Sequence, residues 1–557
     1  MAVDMKIRRA AKGISTILVF AAGSALVLWA AARPNPSSGE TAPPPADLSG
    51  YALPLKSTPS KIDSPLRRLI QTETAAVRTV VEIRDDGRRL PSPDDTRFFV
   101  RRIEELGGTV ERTSGRLIQA LLPPESIAFL AMSPGISRLR LPSLPQPAAV
   151  LSEGVARSGA YSWFDLPSYR STANPVKIAV LDLGFSGYAA LIGGELPAGI
   201  IVRSFRADED PEAGLVHGTA CAEIVHDMAP DALLYLVNFQ TDVELGAAVD
   251  YLIAENVDVI SCSLVWPGAG AGDGTGPICE IVKRCAARGI LWVNAAGDDA
   301  LSHWQADFTD ANNDSFQDFA SGDEILQWAV AAGGETRAVL TWDNWGEWNG
   351  SSYDAPTRDF DLLLWRWTGA AWELLEFCDD WQTGEAGQKP LEQTSLWKTG
   401  KATYYGISIL KWNAAGAPRL RLIVQGNAEA VEYAVPGGSL GIPADAPGAV
   451  AVGATDFETD VLQAWSSRGP TADGRIKPDL TAFSRVSTAV LGPRAFSGTS
   501  AAAPHVAGAL GLLMAKTPFA PGQLRTILEE RAKDLGEIGP DNLFGRGRLN
   551  LYKKTGS

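Results

Sequence analysis

The sequence predicts an α/β protein with a doubly wound parallel sheet. A small α+β unit precedes the domain that contains this sheet, and an antiparallel β-sandwich is inserted into it. Short apolar runs alternate with helical stretches between residues 176 and 295, the pattern of a parallel sheet covered on both faces. Residues 77–141 follow the order strand, helix, strand, strand, helix, strand. Residues 322–436 instead alternate apolar and polar positions between turns, as antiparallel strands do.

The predicted parallel sheet belongs to a domain in two parts, residues 175–320 and 440–552, on either side of the insertion. Helices are predicted at 242–254 and 277–288. The strands between them are 176–182, 200–205, 233–239, 257–264 and 290–295. Sheets of this kind bind ligands beyond the carboxyl ends of their strands, so we expect the functional residues at that edge.

Composition excludes several classes of protein. With 557 residues, of which 45% are hydrophobic, the chain can bury more than one core. A formal net charge of −15 argues against a nucleic-acid partner, because phosphate-binding surfaces are basic. The five cysteines are few and odd in number, so they do not indicate a disulfide framework.

The N-terminus is typical of an export signal. Lys6, Arg8, Arg9 and Lys12 precede an uncharged stretch, residues 13–32, and a linker at 34–73 begins with a Pro/Ser-rich segment. The uncharged stretch is long enough to span a bilayer, and Ala30–Ala32 also offers a small-residue cleavage site. Residues 1–33 are therefore predicted to be either a cleaved signal peptide or a membrane anchor. In both cases the body of the protein lies outside the cytoplasm.

Residues 74–145 are predicted to form a ferredoxin-like α+β domain. Ser92-Pro93-Asp94 begins a helix that Gly107-Gly108 ends, and a second helix follows Pro123-Pro124. Four strands surround these helices in a β-α-β-β-α-β order, a split βαβ unit.

Ser500 is the first candidate nucleophile. It follows Gly498-Thr499 and opens a run of small residues that leads into Leu510, which predicts a deeply buried helix. A serine at this position lies among the unpaired N–H groups of the helix start, which can bind a developing oxyanion.

A serine hydroxyl needs a base, and the chain has only four histidines. His505 lies on the same helix as Ser500 but is rotated away from it, as expected of a core histidine. His226 and His303 are also unsuited, which leaves His217 at the tip of a small-residue helix. An orienting carboxylate should end a buried strand, and Asp182 follows the apolar run 176–181.

Three motifs now stand in a fixed order: Asp182-Leu-Gly, His217-Gly-Thr and Gly498-Thr-Ser500-Ala-Ala-Ala-Pro-His-Val-Ala-Gly508. They resemble the motifs of the subtilisin-like serine peptidases. The resemblance implies an Asp182/His217/Ser500 triad and a polypeptide substrate. It also implies that the ferredoxin-like domain is a pro-domain, an intramolecular partner that is cut away between Leu144 and Asn174. An accessory domain without this role is the alternative.

The resemblance also indicates the substrate-binding segments and the oxyanion site. Ser263, Leu264 and Val265 should flank one side of the pocket, and Ala295, Ala296 and Gly297 the other. The family has asparagine where this chain has Asp298, and an ionised Asp cannot donate to an oxyanion. Either Asp298 is protonated and can donate, or the oxyanion is bound without it by the Ser500 N–H, helped by Thr499, and the enzyme is slow.

An acidic loop suggests a cation. Asp310, Asn312, Asp314 and Asp318 supply oxygen atoms at alternate positions, as in calcium loops, although the central Gly and bidentate Glu of an EF-hand are missing. The sequence therefore predicts a Ca²⁺ site, with a solvated turn stabilised by Asx-type hydrogen bonds as the alternative.

The inserted sandwich, residues 322–436, contains ten of the chain's 16 tryptophans. We expect most of them in the sandwich core, although exposed aromatic rings could also form a carbohydrate or protein surface. Two functions follow. The first is an exported serine endopeptidase, and the second is a binding or adhesion protein that keeps the fold with weak or no turnover.

Overall fold

The computed structural model describes residues 74–84, 93–114, 117–140, 150–350, 356–384, 388–428 and 430–552, and the single positions Lys61, Ile62, Leu66, Ile70 and Tyr353. The predicted signal segment, most of the linker and residues 141–149 lie outside this set. The chain divides into two units, one within Trp29–Ala148 and the other containing Ala149–Ser557.

The first unit has the order of elements that the sequence predicts. Its elements are β1 (Val77–Ile83), α1 (Pro93–Glu105), β2 (Thr109–Ser114), β3 (Leu117–Leu122), α2 (Pro124–Ala131) and β4 (Ile136–Arg140). The sheet order is β2-β3-β1-β4, which is the ferredoxin-like arrangement. Alternate residues of β3 are buried because one face of this sheet packs on the helices and the other faces outward.

The second unit is built on a seven-stranded sheet. Its elements are α3 (Glu153–Ser158), α4 (Tyr161–Phe164), β5 (Lys177–Asp182), a 3₁₀ turn (Tyr188–Leu191), β6 (Ile201–Ser204), α5 (His217–Met228), β7 (Leu233–Asn238), α6 (Asp242–Ala254), β8 (Val259–Cys262), α7 (Pro277–Ala287) and β9 (Leu291–Ala295). Two later strands, β19 (Ala449–Asp456) and β20 (Leu480–Ser484), complete the sheet. The order is β20-β19-β9-β8-β5-β7-β6, and every neighbouring pair is parallel. The predicted fold class is confirmed.

The central strand β5 shows why these apolar runs become strands. Ile178 and Val180 point into a core shared with α5 and the later helix α8 (Thr499–Lys516), whereas Ala179 and Leu181 point into a core shared with α6 and α7. Both faces are buried, so the strand is apolar throughout. The chain places β6 and β7 on one side of β5 and then β8 and β9 on the other. Asp182, at the end of β5, therefore lies at the point where the winding reverses.

The inserted sandwich consists of two antiparallel sheets with strand orders β10-β18-β12-β15 and β11-β17-β13-β14. Its strands are β10 (His303–Asp307), β11 (Leu326–Val330), β12 (Glu335–Trp342), β13 (Asp359–Trp367), β14 (Trp372–Cys378), β15 (Leu391–Gln393), β16 (Trp397–Lys398), β17 (Thr403–Asn413) and β18 (Arg419–Gly426). The sandwich thus begins at β10, well before the predicted boundary at 322. Trp304, Trp328 and Trp342 pack in its core, whereas Trp381 and Trp412 are exposed.

The chain then returns to the parallel sheet. The remaining elements are β19 (Ala449–Asp456), β20 (Leu480–Ser484), β21 (Val486–Thr488), β22 (Gly492–Phe496), α8 (Thr499–Lys516) and α9 (Pro521–Arg531). The small residues of α8 permit close packing: a Cβ atom added at Gly508 would strike Met228, and one at Gly511 would strike Ile178. Across the part of the chain that the structure describes, no helix is both long and apolar enough to cross a membrane.

Candidate active site

The three residues predicted to be catalytic come from different elements that meet at the carboxyl edge of the sheet. Asp182 is the last residue of β5, His217 the first of α5 and Ser500 the second of α8. The start of α5 is fixed by the Gly218 N–H, which donates to the Gly184 carbonyl at 3.2 Å. A Cβ atom at Gly218 would lie 2.5 Å from that oxygen and 2.8 Å from the Asp182 Cβ. The glycine after His217 is therefore required for this close approach.

Asp182 holds the His217 ring. His217 Nδ1 lies 2.7 Å from Asp182 Oδ2, and the Leu183 N–H donates to Asp182 Oδ1 at 2.8 Å. Burial lowers the pKa of His217, but the charge and hydrogen bond of Asp182, with a smaller contribution from Asp298, outweigh it, so the pKa is raised above the usual 6.5. With the Nδ1 proton on the carboxylate side, Nε2 is free to accept a proton.

Ser500 lies within reach of the substrate-binding segment. Its O–H donates to the Ser263 carbonyl at 3.3 Å. This carbonyl immediately follows the end of β8, so Ser500 is at the same sheet edge as Asp182. The His217 ring is packed edge-on against Phe496, with 5.7 Å between the ring centroids. The hydroxyl must turn from Ser263 towards His217 before proton transfer, an adjustment common in sites without substrate.

A proline inside α8 explains a further contact that sequence reasoning missed. Pro504 has no N–H, so the Ser500 carbonyl lacks the usual donor four residues later. Two side chains replace it: Ser263 Oγ donates at 3.1 Å and Cys221 Sγ at 3.5 Å. Burial, followed by the nearby Asp182 charge, raises the pKa of Cys221 well above its usual value, which keeps the thiol protonated as a donor. The backbone of the candidate nucleophile is therefore fixed from two other elements.

The predicted oxyanion residues Asp298 and Thr499 are brought together, but the carboxylate only accepts. Asp298 Oδ1 accepts the Thr499 N–H at 2.9 Å and the Thr499 O–H at 2.8 Å. The Gly297 N–H in turn donates to Thr499 Oγ1 at 3.2 Å. Surrounding protein raises the pKa of Asp298, and the Thr499 hydrogen bonds and the His217 charge oppose the rise. The residue as a whole is exposed to solvent.

The two predicted substrate-binding segments leave the sheet side by side. Cys262 of β8 is paired with Asn294 of β9, so Ser263–Val265 and Ala295–Gly297 emerge from neighbouring strands. Ser263 and Ala296 are buried. Each segment contacts the start of α8, since the Ser263 carbonyl accepts the Ser500 O–H and the Gly297 N–H donates to Thr499 Oγ1.

A third segment, Gly441-Ile442, closes this region and was missed from the sequence. The Gly441 N–H donates to the Ala296 carbonyl and the Trp266 N–H donates to the Ile442 carbonyl, both at 2.8 Å. A Cβ atom at Gly441 would lie 2.5 Å from Val265 Cγ1. The Val265 side chain thus packs on a glycine of the chain. Only the glycine itself could have signalled this approach, because the contact joins distant parts of the sequence.

The acidic loop does not fit a calcium ion in the arrangement that the structure shows. Its oxygen atoms are occupied by donors of the chain: Asp310 accepts from the amides of residues 314 and 315, Asp314 from that of residue 316 and Asp318 from that of residue 311. Lys411 Nζ also lies 3.5 Å from Asp310 Oδ2, and the Asn312 amide donates to Asp314 at 2.9 Å. These contacts correspond to the alternative of an Asx-stabilised turn.

Removing charge from this loop should therefore leave any calcium response intact. We expect the double variant Asp310→Asn/Asp314→Asn to show the same shift in melting temperature on chelation as the parent protein. The free energy of unfolding should fall by about 1–3 kcal/mol, because the Asp310 carboxylate is only 8% exposed and pairs with Lys411. A chelation response that disappears in the double variant would show that the loop binds the ion after all.

Parallel strands with a carboxylate, an imidazole and a serine at their carboxyl edge are the architecture of an α/β serine hydrolase. The subtilase family model matches residues 387–547, a segment that contains Ser500 but neither Asp182 nor His217. Residues 387–547 are therefore similar to the subtilase family.

Three curated relatives match short parts of the chain. An extracellular serine protease of Serratia marcescens is 50% identical over 56 residues, 10% of this chain and 5% of that protein. The membrane-bound transcription factor site-1 protease of Mus musculus is 36% identical over 131 residues, 21% and 12% respectively. Subtilisin amylosacchariticus of Bacillus subtilis subsp. amylosacchariticus is 34% identical over 114 residues, 20% and 28%. The chain therefore aligns with less than a third of the length of each of these relatives.

Among solved structures, the Clostridium perfringens CspB protease superposes with a TM-score of 0.49 at 17% sequence identity. The superposition covers 72% of this chain and 97% of that one.

Proposed function

We propose that this protein is a serine endopeptidase that hydrolyses polypeptides through an acyl-enzyme on Ser500. The observation that carries the proposal is the 2.7 Å contact between His217 Nδ1 and Asp182 Oδ2, at the same sheet edge as the Ser500 hydroxyl. Asp182 is buried and orients the partly exposed imidazole of His217, an arrangement suited to proton transfer. The family supports the same chemistry.

Each of the three residues has one task in the proposed reaction. His217 Nε2 takes the proton as Ser500 Oγ attacks the peptide carbonyl carbon, and Asp182 stabilises the imidazolium that forms. The oxyanion is bound by the Ser500 N–H, which has no intrahelical acceptor because it lies in the first turn of α8. The imidazolium then protonates the leaving amine, and the same base activates a water molecule that hydrolyses the ester.

We further propose that the protein works outside the cytoplasm. Support comes from the basic residues at 6–12 followed by the uncharged stretch 13–32, and the Serratia marcescens relative is named an extracellular protease. The stretch either is removed or anchors the protein. We also propose that the ferredoxin-like domain at 74–145 serves as a pro-domain and that it is released by a cut between 144 and 174.

Labelling with a fluorophosphonate tests the peptidase proposal directly, because this probe reacts only with an activated serine. We expect the full-length protein to be labelled and the Ser500→Ala variant not to be labelled. Measurements from acid to alkaline pH are needed, since the raised pKa of His217 keeps the base protonated at low pH. If no Ser500-dependent labelling occurs at any pH, the peptidase proposal is wrong.

A binding or adhesion role is the second candidate, and two observations favour it. The Asp298 carboxylate lies where the family supplies a donor, which weakens catalysis. Trp381 and Trp412 are exposed on the sandwich, with their rings edge to face and 5.8 Å between centroids. Solvent-exposed tryptophan pairs commonly form recognition surfaces. Absence of labelling together with a correctly folded protein would support this role.

A further inference from the structure

Three segments of the chain meet beside Ser500 and surround a small space. They are Ser263–Val265, Ala295–Gly297 and Gly441-Ile442. The Ser500 O–H donates to the Ser263 carbonyl at 3.3 Å, and the Gly297 N–H donates to Thr499 Oγ1 at 3.2 Å. The space therefore adjoins the hydroxyl that attacks the substrate in the proposed reaction.

Hydrogen bonds join each of these segments to the other two. The buried Asn294 side chain donates to the Leu264 carbonyl at 3.1 Å, which links the first segment to the start of the second. Gly441-Ile442 is bonded to both through two backbone hydrogen bonds of 2.8 Å, one to Ala296 and one from Trp266, which follows the first segment. Backbone groups thus set the width of the space.

The side chain of Val265 occupies this space. A Cβ atom added at Gly441 would lie 2.5 Å from Val265 Cγ1 and 2.7 Å from Val265 Cβ, so the valine side chain contacts the backbone of the opposite segment. Val265 is only partly buried, so part of it stays accessible to a substrate. Because valine is branched at Cβ, few rotamers are open to it, and it cannot easily move aside.

The neighbours of Val265 turn away from the space. Leu264 and Trp266 both pack on the core shared with α6 and α7. The Trp266 ring is stacked on Phe239, with 6.1 Å between the ring centroids and 9° between the ring planes. Val265 is therefore the side chain of this segment that limits the room between the three segments.

We propose that Val265 restricts the peptidase to polypeptides with a small residue, alanine or glycine, immediately before the cut bond. The proposal rests on the peptidase activity proposed for Ser500. When Ser500 Oγ attacks a carbonyl carbon, the side chain of the residue that carries this carbonyl begins only two bonds away, so it must fit between the segments beside Ser500. The methyl groups of Val265 leave room there for a hydrogen atom or a methyl group, whereas a leucine or phenylalanine side chain would overlap them.

A large residue before the cut bond should be cleaved slowly for a geometric reason. The substrate must either displace Val265 or bind with its carbonyl carbon further from Ser500 Oγ. A misplacement of the reacting atoms by about 1 Å can cost on the order of 100-fold in rate. A single methylene group too many in an apolar pocket changes kcat/KM by about 10–200-fold.

Kinetics on four tetrapeptide p-nitroanilides that differ only before the cut bond, with Gly, Ala, Leu or Phe, test the proposal on the full-length protein. We expect the parent to cleave the Ala substrate with a kcat/KM about tenfold or more above those for Leu and Phe. Val265→Gly should raise kcat/KM for Leu and Phe by about tenfold or more and keep that for Ala within about threefold, and Val265→Ala should lie between. Peptidyl phosphonates that carry Ala or Phe give the same comparison from the rate of Ser500 labelling, without turnover.

Val461→Gly is the matched control, because it removes the same side chain from a position that is 62% exposed. It should leave the ratio of the Phe to the Ala kcat/KM at the parental value. General loosening of the fold would lower activity on all four substrates together, whereas the role proposed for Val265 changes this ratio. If a melting curve shows that Val265→Gly does not fold, the ratio in Val265→Ala decides the question.

Two results overturn the proposal and leave the peptidase activity standing. The first is a parent protein that cleaves the Leu or Phe substrate as well as the Ala substrate, and the second is a Val265→Gly variant with the parental ratio. If the parent instead reacts with neither the peptidyl phosphonates nor a fluorophosphonate at any pH, the peptidase proposal is wrong and the role of Val265 is wrong with it.

Discussion

Replacing Asp182 with asparagine should lower kcat for peptide hydrolysis by about 10⁴-fold while leaving the fold intact. The reason lies in the two oxygens of this carboxylate. Oδ1 accepts the Leu183 N–H and Oδ2 faces His217 Nδ1. In the variant the amide oxygen must keep the Leu183 hydrogen bond, so the amide NH₂ faces the ring. His217 Nδ1 then becomes an acceptor, the proton moves to Nε2, and the ring can no longer take the Ser500 proton.

The measurement is kcat on a peptide substrate with a melting curve for the same protein. Asp231→Asn is a suitable control, because Asp231 is an exposed acid whose one ion pair among the described residues is with Lys516 at 3.4 Å. It should retain parental kcat. A loss of less than tenfold in Asp182→Asn would mean that the tautomer of His217 is fixed by another group, and the role assigned to Asp182 would be incorrect.

The elements that sequence reasoning found share one property: each is marked by its own neighbours in the chain. The apolar run ending in Asp182 and the small residues after His217 and Ser500 indicate buried strands and closely packed helices without any tertiary information. The β5 strand is apolar on both sides because two cores need it, which is visible in a single sequence.

The features that sequence reasoning missed depend on contacts between distant segments. Pro504 deprives the Ser500 carbonyl of a donor, but nothing local says that Ser263 and Cys221 replace it. Residues 303–307 fall within the range predicted for the parallel domain, and only the pairing of this strand with β18 shows that it belongs to the sandwich.

The acidic residues also show that local sequence patterns do not predict tertiary contacts. Those of the loop at 310–318 have the spacing of ion ligands, yet backbone amides occupy them, since a turn brings its own N–H groups to its side chains. Asp359 and Asp361 have no such spacing and lie in a strand pattern that favours exposure. Their side chains are nonetheless buried, at 4% and 5% exposed, and this burial depends on other segments of the chain that a local pattern does not reveal.

Replacing Asp298 with asparagine should raise kcat/KM by about 10²–10³-fold, the value of one oxyanion donor. Asp298 Oδ1 already accepts both hydrogen bonds of Thr499, and an asparagine oxygen can keep them. The other atom, Oδ2, lies beside the start of α8, since a Cβ atom at Gly498 would be 2.9 Å from it and 3.4 Å from the Ser500 nitrogen. An NH₂ group there becomes a donor at the place where the oxyanion forms.

The gain in kcat/KM of Asp298→Asn over the parent should increase with pH. The pKa of Asp298 is raised, and a protonated Asp298 can donate from Oδ2, so the parent enzyme loses its donor as the pH rises through that pKa, whereas asparagine donates at every pH. The ratio of variant to parent kcat/KM should therefore increase with pH and then level off. The negative charge of Asp298 also helps to raise the pKa of His217, so its removal frees the base at lower pH.

Asp299→Asn separates the donor from the charge, because it neutralises the adjacent carboxylate without placing an amide beside Ser500. Burial, followed by the Asp298 charge, raises the pKa of Asp299 to about 7, so above that pH this control removes a comparable charge. We expect it to leave kcat/KM within about threefold of the parent, a change that corresponds to less than 1 kcal/mol. If both variants accelerate the enzyme equally, Asp298 acts only through its charge on His217, and the Ser500 N–H is sufficient for the oxyanion.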